Sequence, residues 1–252
     1  MQANTSVIGV LGMMAALSLP AAPNAPVLND VADLSAQGEA VAILPTGSLH
    51  GDEVPADAAG NWLALVREGN GATVHPVSVS LMPEQDMMDE DGEETGRRVG
   101  VEPPLDPIVL VRGLGWFTGP VTTALMDERI DVAHTLEVRL NTVSSRLSVR
   151  CGAGSRVEGQ RQQRCTLVVE SEAARQVLFT YSAYFEGTQR LWASDNGPFV
   201  LWAGDLDLDG RLDLLLDTSD HENVKEMRLF LSSAAKPGQL VSEVALFRQV
   251  GC

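Results

Sequence analysis

Thr73-Val-His-Pro-Val-Ser-Val-Ser-Leu81 decides the fold class. Val77, Val79 and Leu81 fall on one side of an extended chain and the intervening serines on the other, which is the two-residue period of a half-buried strand. The same alternation returns in Leu136, Val138 and Leu140. Working outward, Ala40 to Leu44, Asn61 to Arg67, Ile108 to Arg112, Val132 to Asn141, Arg146 to Cys151, Cys165 to Glu170 and Gln176 to Tyr181 are β-branched or alternating runs. Gly, Pro, Asp and Asn separate them, the residues that favour turns. This spacing predicts an all-β protein, either a β-sandwich or an open barrel-like meander, over any helical architecture. No internal repeat of fixed period is present.

At 252 residues the chain is long enough to bury one large β core or two smaller ones. Glu84 to Glu94 holds seven acids and no base, and so cannot build core. Continued by Pro103, Pro104 and Pro107, it predicts a long mobile loop over residues 83–107, or a boundary between two small domains. Residues 26–252 form the β-rich domain on this reading. Residues 1–25 read as a signal peptide: an apolar run from Val7 to Leu19 ends in small residues around Ala22 and Ala25. The run lacks a preceding Lys or Arg, and a buried N-terminal helix is the alternative. It is short for a membrane span, and no later segment is apolar enough to be one. The expected location is therefore secreted or periplasmic.

With 18 Lys+Arg against 34 Asp+Glu, the net charge of −16 repels phosphate backbones and anionic lipid. Nucleic acid is excluded as a partner, while divalent cations, proteins and glycans stay open. Cys151 and Cys165 each continue an alternating apolar face, so both thiols point to one side of adjacent strands. They form either a disulfide, worth roughly 3 kcal/mol over the loop it would close, or two buried free thiols. Cys252 is free or intermolecular.

Acidic chemistry concentrates in Trp202-Ala-Gly-Asp205-Leu-Asp207-Leu-Asp209-Gly210-Arg-Leu-Asp213-Leu-Leu-Leu216. Asp205, Asp207, Asp209 and Asp213 occupy loop positions 1, 3, 5 and 9, and the carbonyl of Arg211 lies at position 7. A hard cation such as Ca2+ takes six to eight oxygens, and alternate residues of a tight loop aim side chains at a common centre. Gly210 allows the sharp turn. An EF-hand is excluded: position 12 is Leu216 rather than a bidentate Glu, and Leu212 to Leu216 reads as a strand.

Gly204-Asp205-Leu-Asp207-Leu-Asp209-Gly210-Arg-Leu-Asp213-Leu resembles the FG-GAP/VCBS repeat, the calcium-binding β-hairpin unit of integrin-like propellers and bacterial surface proteins. The resemblance spans residues 201–231 in a single copy. It implies Ca2+ held by Asp205, Asp207, Asp209 and Asp213, with a strand leaving the loop, so that the fold ends in a calcium-loop β-hairpin. The run Leu229-Phe-Leu-Ser-Ser-Ala-Ala-Lys-Pro-Gly-Gln-Leu-Val is similar to that of short bacterial proteins with one such motif near the end.

Two further groups invite a functional reading. His50, Asp52 and Glu53 form an acid–base cluster, which suits a metal-assisted hydrolase only if a distant ligand joins it, and otherwise a solvated turn. Trp62, Trp116, Trp192 and Trp202 are core residues or a sugar-binding face. Trp116, between glycines, is the best exposed candidate. No nucleophile elbow or phosphate-binding glycine loop is present. The sequence thus points to a non-catalytic, calcium-binding, exported protein with a binding or scaffolding role, its partner an unidentified protein or glycan. A carbohydrate-binding module and a metal-assisted hydrolase are the alternatives.

Overall fold

The computed structural model describes residues 40–86, 89–90, 92–132, 134–157, 160–186, 189–191, 198–219 and 223–251. The expected signal peptide at 1–25, Trp192 and Cys252 lie outside them. Among the described residues every regular element is a strand. In chain order these are β1 (Ala42–Leu44), β2 (Gly47–Leu49), β3 (Gly60–Glu68), β4 (Gly71–Glu84), β5 (Gly96–Glu102), β6 (Pro107–Arg112), β7 (Gly119–Arg129), β8 (Thr135–Leu140) and β9 (Val143–Cys151). They continue as β10 (Ser155–Val157), β11 (Gln160–Ser171), β12 (Arg175–Glu186), β13 (Gln189–Leu191), β14 (Phe199–Asp205), β15 (Asp213–Asp217), β16 (Val224–Leu231) and β17 (Ser242–Val250).

Two antiparallel sheets result. The larger, with 11 strands, runs β1-β6-β3-β4-β7-β14-β15-β16-β17, and β5 and β2 branch from β4. It curls until β1 and β17 lie against one another, a nearly closed barrel-like sheet. The smaller, with six strands, runs β13-β12-β11-β9-β8, with β10 on β11. The open barrel-like arm of the expectation holds, with a second sheet added to it.

Strand β4 makes the branch. One edge pairs with β3 throughout Gly71 to Val79, while the other pairs with β7 at Ala72 to Val74 and with β5 at Ser78 to Glu84. Pro76, which has no N–H to donate, stands in the gap between those two ladders, where a proline costs least.

The loop expected over 83–107 is shorter. Strand β4 continues to Glu84, and β5 occupies Gly96–Glu102, pairing with β4 on one side and β2 on the other. Val99 is buried there and Arg98 pairs with Glu84 at 2.9 Å. Of the acidic run, the described part is also tied down. The Asp89 carboxylate accepts the N–H groups of Asp86 (2.7 Å) and Thr95 (2.9 Å).

Two hydrophobic clusters share one wall. Trp202, Leu215, Met227 and Leu229 of β14–β16 belong with Trp62, Leu65, Leu110 and the rest of the curled sheet. Val200, Ala203, Leu214, Leu216 and Phe230 of the same three strands pack against Val138, Leu147, Leu167 and Val169 of the second sheet. Both faces of β15 are therefore covered, and this is why its sequence is continuously apolar rather than alternating. A bulge between Val200 and Trp202 on β14 turns those two residues, two apart, to opposite sides.

Cys151 and Cys165 stand directly opposite in the β9–β11 ladder, with their sulfurs at bonding distance, 1.99 Å. The segment they close is not a plain loop, because β10 folds back onto β11 within it.

Candidate metal centre

The aspartate loop joins β14 to β15, whose ladder closes at Gly204 opposite Asp213. Gly204 is required: a Cβ there would lie 2.1 Å from the Thr122 carbonyl oxygen and 2.4 Å from the Trp202 ring. The chain then reverses twice, through left-handed residues Leu208 (φ 63°) and Gly210 (φ 81°). Gly210 adopts this conformation freely, whereas a leucine does so at a cost of about 1 kcal/mol or more.

Hydrogen bonds to the carboxylates hold this path. Asp205 Oδ2 accepts the Gly210 N–H at 3.0 Å. Asp209 Oδ1 accepts the Arg211 N–H at 2.8 Å, and its Oδ2 meets the Arg211 guanidinium at 2.6 Å. Asp213 is fully buried. Its Oδ2 accepts from the N–H groups of Leu206 (2.8 Å) and Asp207 (3.4 Å), and its Oδ1 from the N–H (2.8 Å) and hydroxyl (3.0 Å) of Ser232. Three backbone N–H groups thus point at that carboxylate, and the single proton of the Ser232 hydroxyl lies beside it.

What the loop brings together is Asp205, Asp207 and Asp209, one oxygen of each lying within 4.8 Å of the others. Asp205 and Asp207 are only 7% and 3% exposed, and Oδ1 of each is buried without a hydrogen-bond partner. Leaving a buried carboxylate oxygen unpaired costs about 1–3 kcal/mol or more, so the chain tolerates two such atoms at one point for a reason local to that point. Burial, then the neighbouring carboxylates, push the Asp205 and Asp207 acids above the ordinary carboxylate range, against the donors from Gly210 and Ser233. Burial, followed by repulsion from Asp207, pushes Asp213 up to about 7.

Ser232 and Ser233, at the end of β16, complete the setting, and sequence reasoning assigned them no role. The Ser232 hydroxyl reaches both oxygens of Asp209, at 3.0 and 2.9 Å, and the Ser233 hydroxyl donates to Asp207 Oδ2. Their signal is the Ser-Ser pair that directly follows an apolar strand one hairpin downstream of the loop.

The other candidates have different surroundings. The His50 ring pairs through Nδ1 with Asp86, and Glu53 accepts the N–H groups of His50 (3.1 Å) and Val250 (2.6 Å). The hydrogen bond to Asp86 raises the His50 pKa above its ordinary value. Asp86 is the distant acid that the hydrolase reading required, and the cluster ties the turn after β2 to the acidic segment and to the end of β17, beside a cavity of about 290 Å³ lined by His50, Gly51, Asp52, Asp86, Thr95 and Arg97. Trp62 and Trp202 are buried and donate to the Ala58 carbonyl (2.7 Å) and the Thr123 hydroxyl (3.0 Å). Trp116 is 59% exposed.

No known family model, curated protein or solved structure matches the chain. The chemistry of its sites therefore rests on its own residues.

Proposed function

We propose that this chain is an exported, non-catalytic β-protein that binds Ca2+ in its aspartate loop and acts by binding or scaffolding. One observation carries the reading: three carboxylates converge, and two of their oxygens are buried with nothing to satisfy them. A divalent cation answers both facts, since it neutralises the mutual repulsion and supplies the missing partner for each orphaned oxygen. The residues fit a hard, oxygen-seeking ion. Asp205, Asp207 and Asp209 would hold it, the Arg211 carbonyl would add an oxygen, and Asp213 with Ser232 would keep the loop in shape. The resemblance of residues 201–231 to the FG-GAP/VCBS hairpin supports the same ion, and the apolar leader supports export.

With an extracellular-class affinity near ~0.1 mM and ~1 mM free calcium, occupancy adds on the order of 1.4 kcal/mol to stability. That magnitude suits a clip on the structure better than a sensitive switch. Calorimetric titration of the protein with CaCl2 tests it. Saturable binding of one ion per chain, abolished in Asp207→Ala, is the expected result. Equal heats for the two proteins would overturn the site, and an intact Met1 in native material, by mass spectrometry, would overturn export.

A further inference from the structure

The second sheet is basic on a protein that is otherwise strongly acidic. Between residues 134 and 191 there are eight arginines and no lysine against five acids, whereas the whole chain carries −16. Part of this charge is neutralised in place. On the outward face Arg146 stands opposite Glu137 and Glu170, and Glu170 stands opposite Arg175.

Arg150 and Arg164 lie over the disulfide. Each directly precedes a cysteine of the disulfide, and because Cys151 and Cys165 face the core, the two arginines emerge on the opposite face. Arg150 stands opposite Thr166 in the ladder, so Arg164 is its diagonal neighbour, with Cβ atoms about 7–8 Å apart. The covalent bond beneath them fixes that spacing. Arg150 shares Glu170 with Arg146, in loose ion pairs of 3.8 and 4.0 Å, so one carboxylate serves two guanidinium groups. The Arg164 side chain has no acidic partner among the described residues.

Beside Arg164 the surface opens into a cavity of about 420 Å³, lined by Ala153, Gly154, Gln162, Arg164 and Ser182. Its volume lies within the range of small-molecule sites. Its lining is one guanidinium, an amide, a hydroxyl and two residues with little or no side chain. Its lining is more polar than apolar, which suits a hydroxylated ligand better than a hydrocarbon, and its size exceeds what a bare inorganic anion fills.

We infer that the outward face of this crosslinked hairpin binds an acidic sugar, a carboxylated or sulfated unit of a glycan. The anionic group sits between Arg150 and Arg164, and the ring occupies the cavity with its hydroxyls toward Ser182 and the backbone of Ala153 and Gly154. Guanidinium pairs recognise carboxylate and sulfate through parallel charge-assisted hydrogen bonds. The sheet face and its crosslink supply preorganisation, which limits the entropy lost on binding. Nothing in this site depends on the aspartate loop.

Affinity electrophoresis of the full chain, with EDTA in all gels, provides the test. The gels contain sodium polygalacturonate, dextran sulfate, unsubstituted dextran or poly-glutamate. Retardation by either or both of the acidic glycans, and not by dextran, is expected, and it should fade near ~0.5 M NaCl as screening shortens the reach of the charges. Arg164→Glu and Gly152→Glu should each raise the apparent Kd at least about tenfold. Position 152 accepts a side chain, since a Cβ there meets only the Arg164 carbonyl oxygen at an ordinary 3.7 Å. Arg164→Gln gives the same reading where a glutamate disturbs the hairpin, and Asp207→Ala should leave retardation unchanged, which separates this site from calcium binding. Absence of retardation by both acidic glycans, or unchanged binding in the folded arginine and glycine variants, would overturn the inference. Equal retardation by poly-glutamate would overturn the sugar assignment in favour of an acidic peptide.

Discussion

Asp207→Asn should change stability with opposite sign in the absence and presence of calcium. The side chain is nearly fully buried, one oxygen has no partner, and oxygens of Asp205 and Asp209 lie within 4.8 Å of its own cluster oxygen. Two unit charges at such a spacing repel by roughly 3 kcal/mol at an effective dielectric of about 20. The Arg211 guanidinium on Asp209 and the Ser233 hydroxyl on Asp207 offset much of this, so a net relief of about 1 kcal/mol is expected when an amide replaces the carboxylate. In EDTA the variant should therefore melt about 2–4 °C above the wild type. In millimolar calcium the wild type should gain on the order of 1.4 kcal/mol, or about 3–6 °C, while the variant stays where it was. Differential scanning calorimetry of both proteins in matched buffers reads all four values. A variant that loses the same stability in both buffers, or a wild type indifferent to calcium, would refute the reasoning.

Asp213→Ala should behave differently, because this residue satisfies buried N–H groups of Leu206, Asp207 and Ser232. Leaving them unpaired should cost about 3 kcal/mol or more with or without calcium, measurable by urea unfolding. Reducing the Cys151–Cys165 bond, or replacing Cys165 by Ser, should lower stability by roughly 3 kcal/mol, seen as a fall in the denaturation midpoint. For His50, the folded pKa is raised, chiefly by Asp86. The pair's contribution is therefore fully present below pH 6.5 and lost as pH rises through the folded value. Asp86→Asn should bring the NMR titration midpoint of His50 down toward 6.5 and remove that loss.

Much of the fold was legible in the sequence because strands with one wet face announce themselves. The runs around Val77 and Val79, Val138 and Leu140, and Leu147 and Val149 all became strands with those residues buried. Strand β7 was not legible: its residues from Thr123 to Leu125 and Met126 are neither fully buried nor exposed, so no alternation marks it, though it carries the sheet from β4 to β14. Strand β5 was hidden by acids and prolines on either side. In the aspartate loop, spacing located the convergence of Asp205, Asp207 and Asp209. It could not distinguish Asp213, whose oxygens face backbone donors, because that depends on where Ser232 arrives from another strand. The tie between His50 and Asp86, 36 residues apart, was out of reach for the same reason.

The wall formed by β14, β15 and β16 makes neighbours answer to different halves of the molecule. Leu214 belongs to the compartment under the second sheet and Leu215 to that of the curled sheet, though one peptide bond separates them. Truncating either should strip a partition that the other compartment also leans on, so damage on one side propagates across a single strand's thickness. The aspartate loop sits where that partition turns, between its first two strands. An ion gripped there would act as a keystone for both chambers at once, and melting should register as one event rather than two.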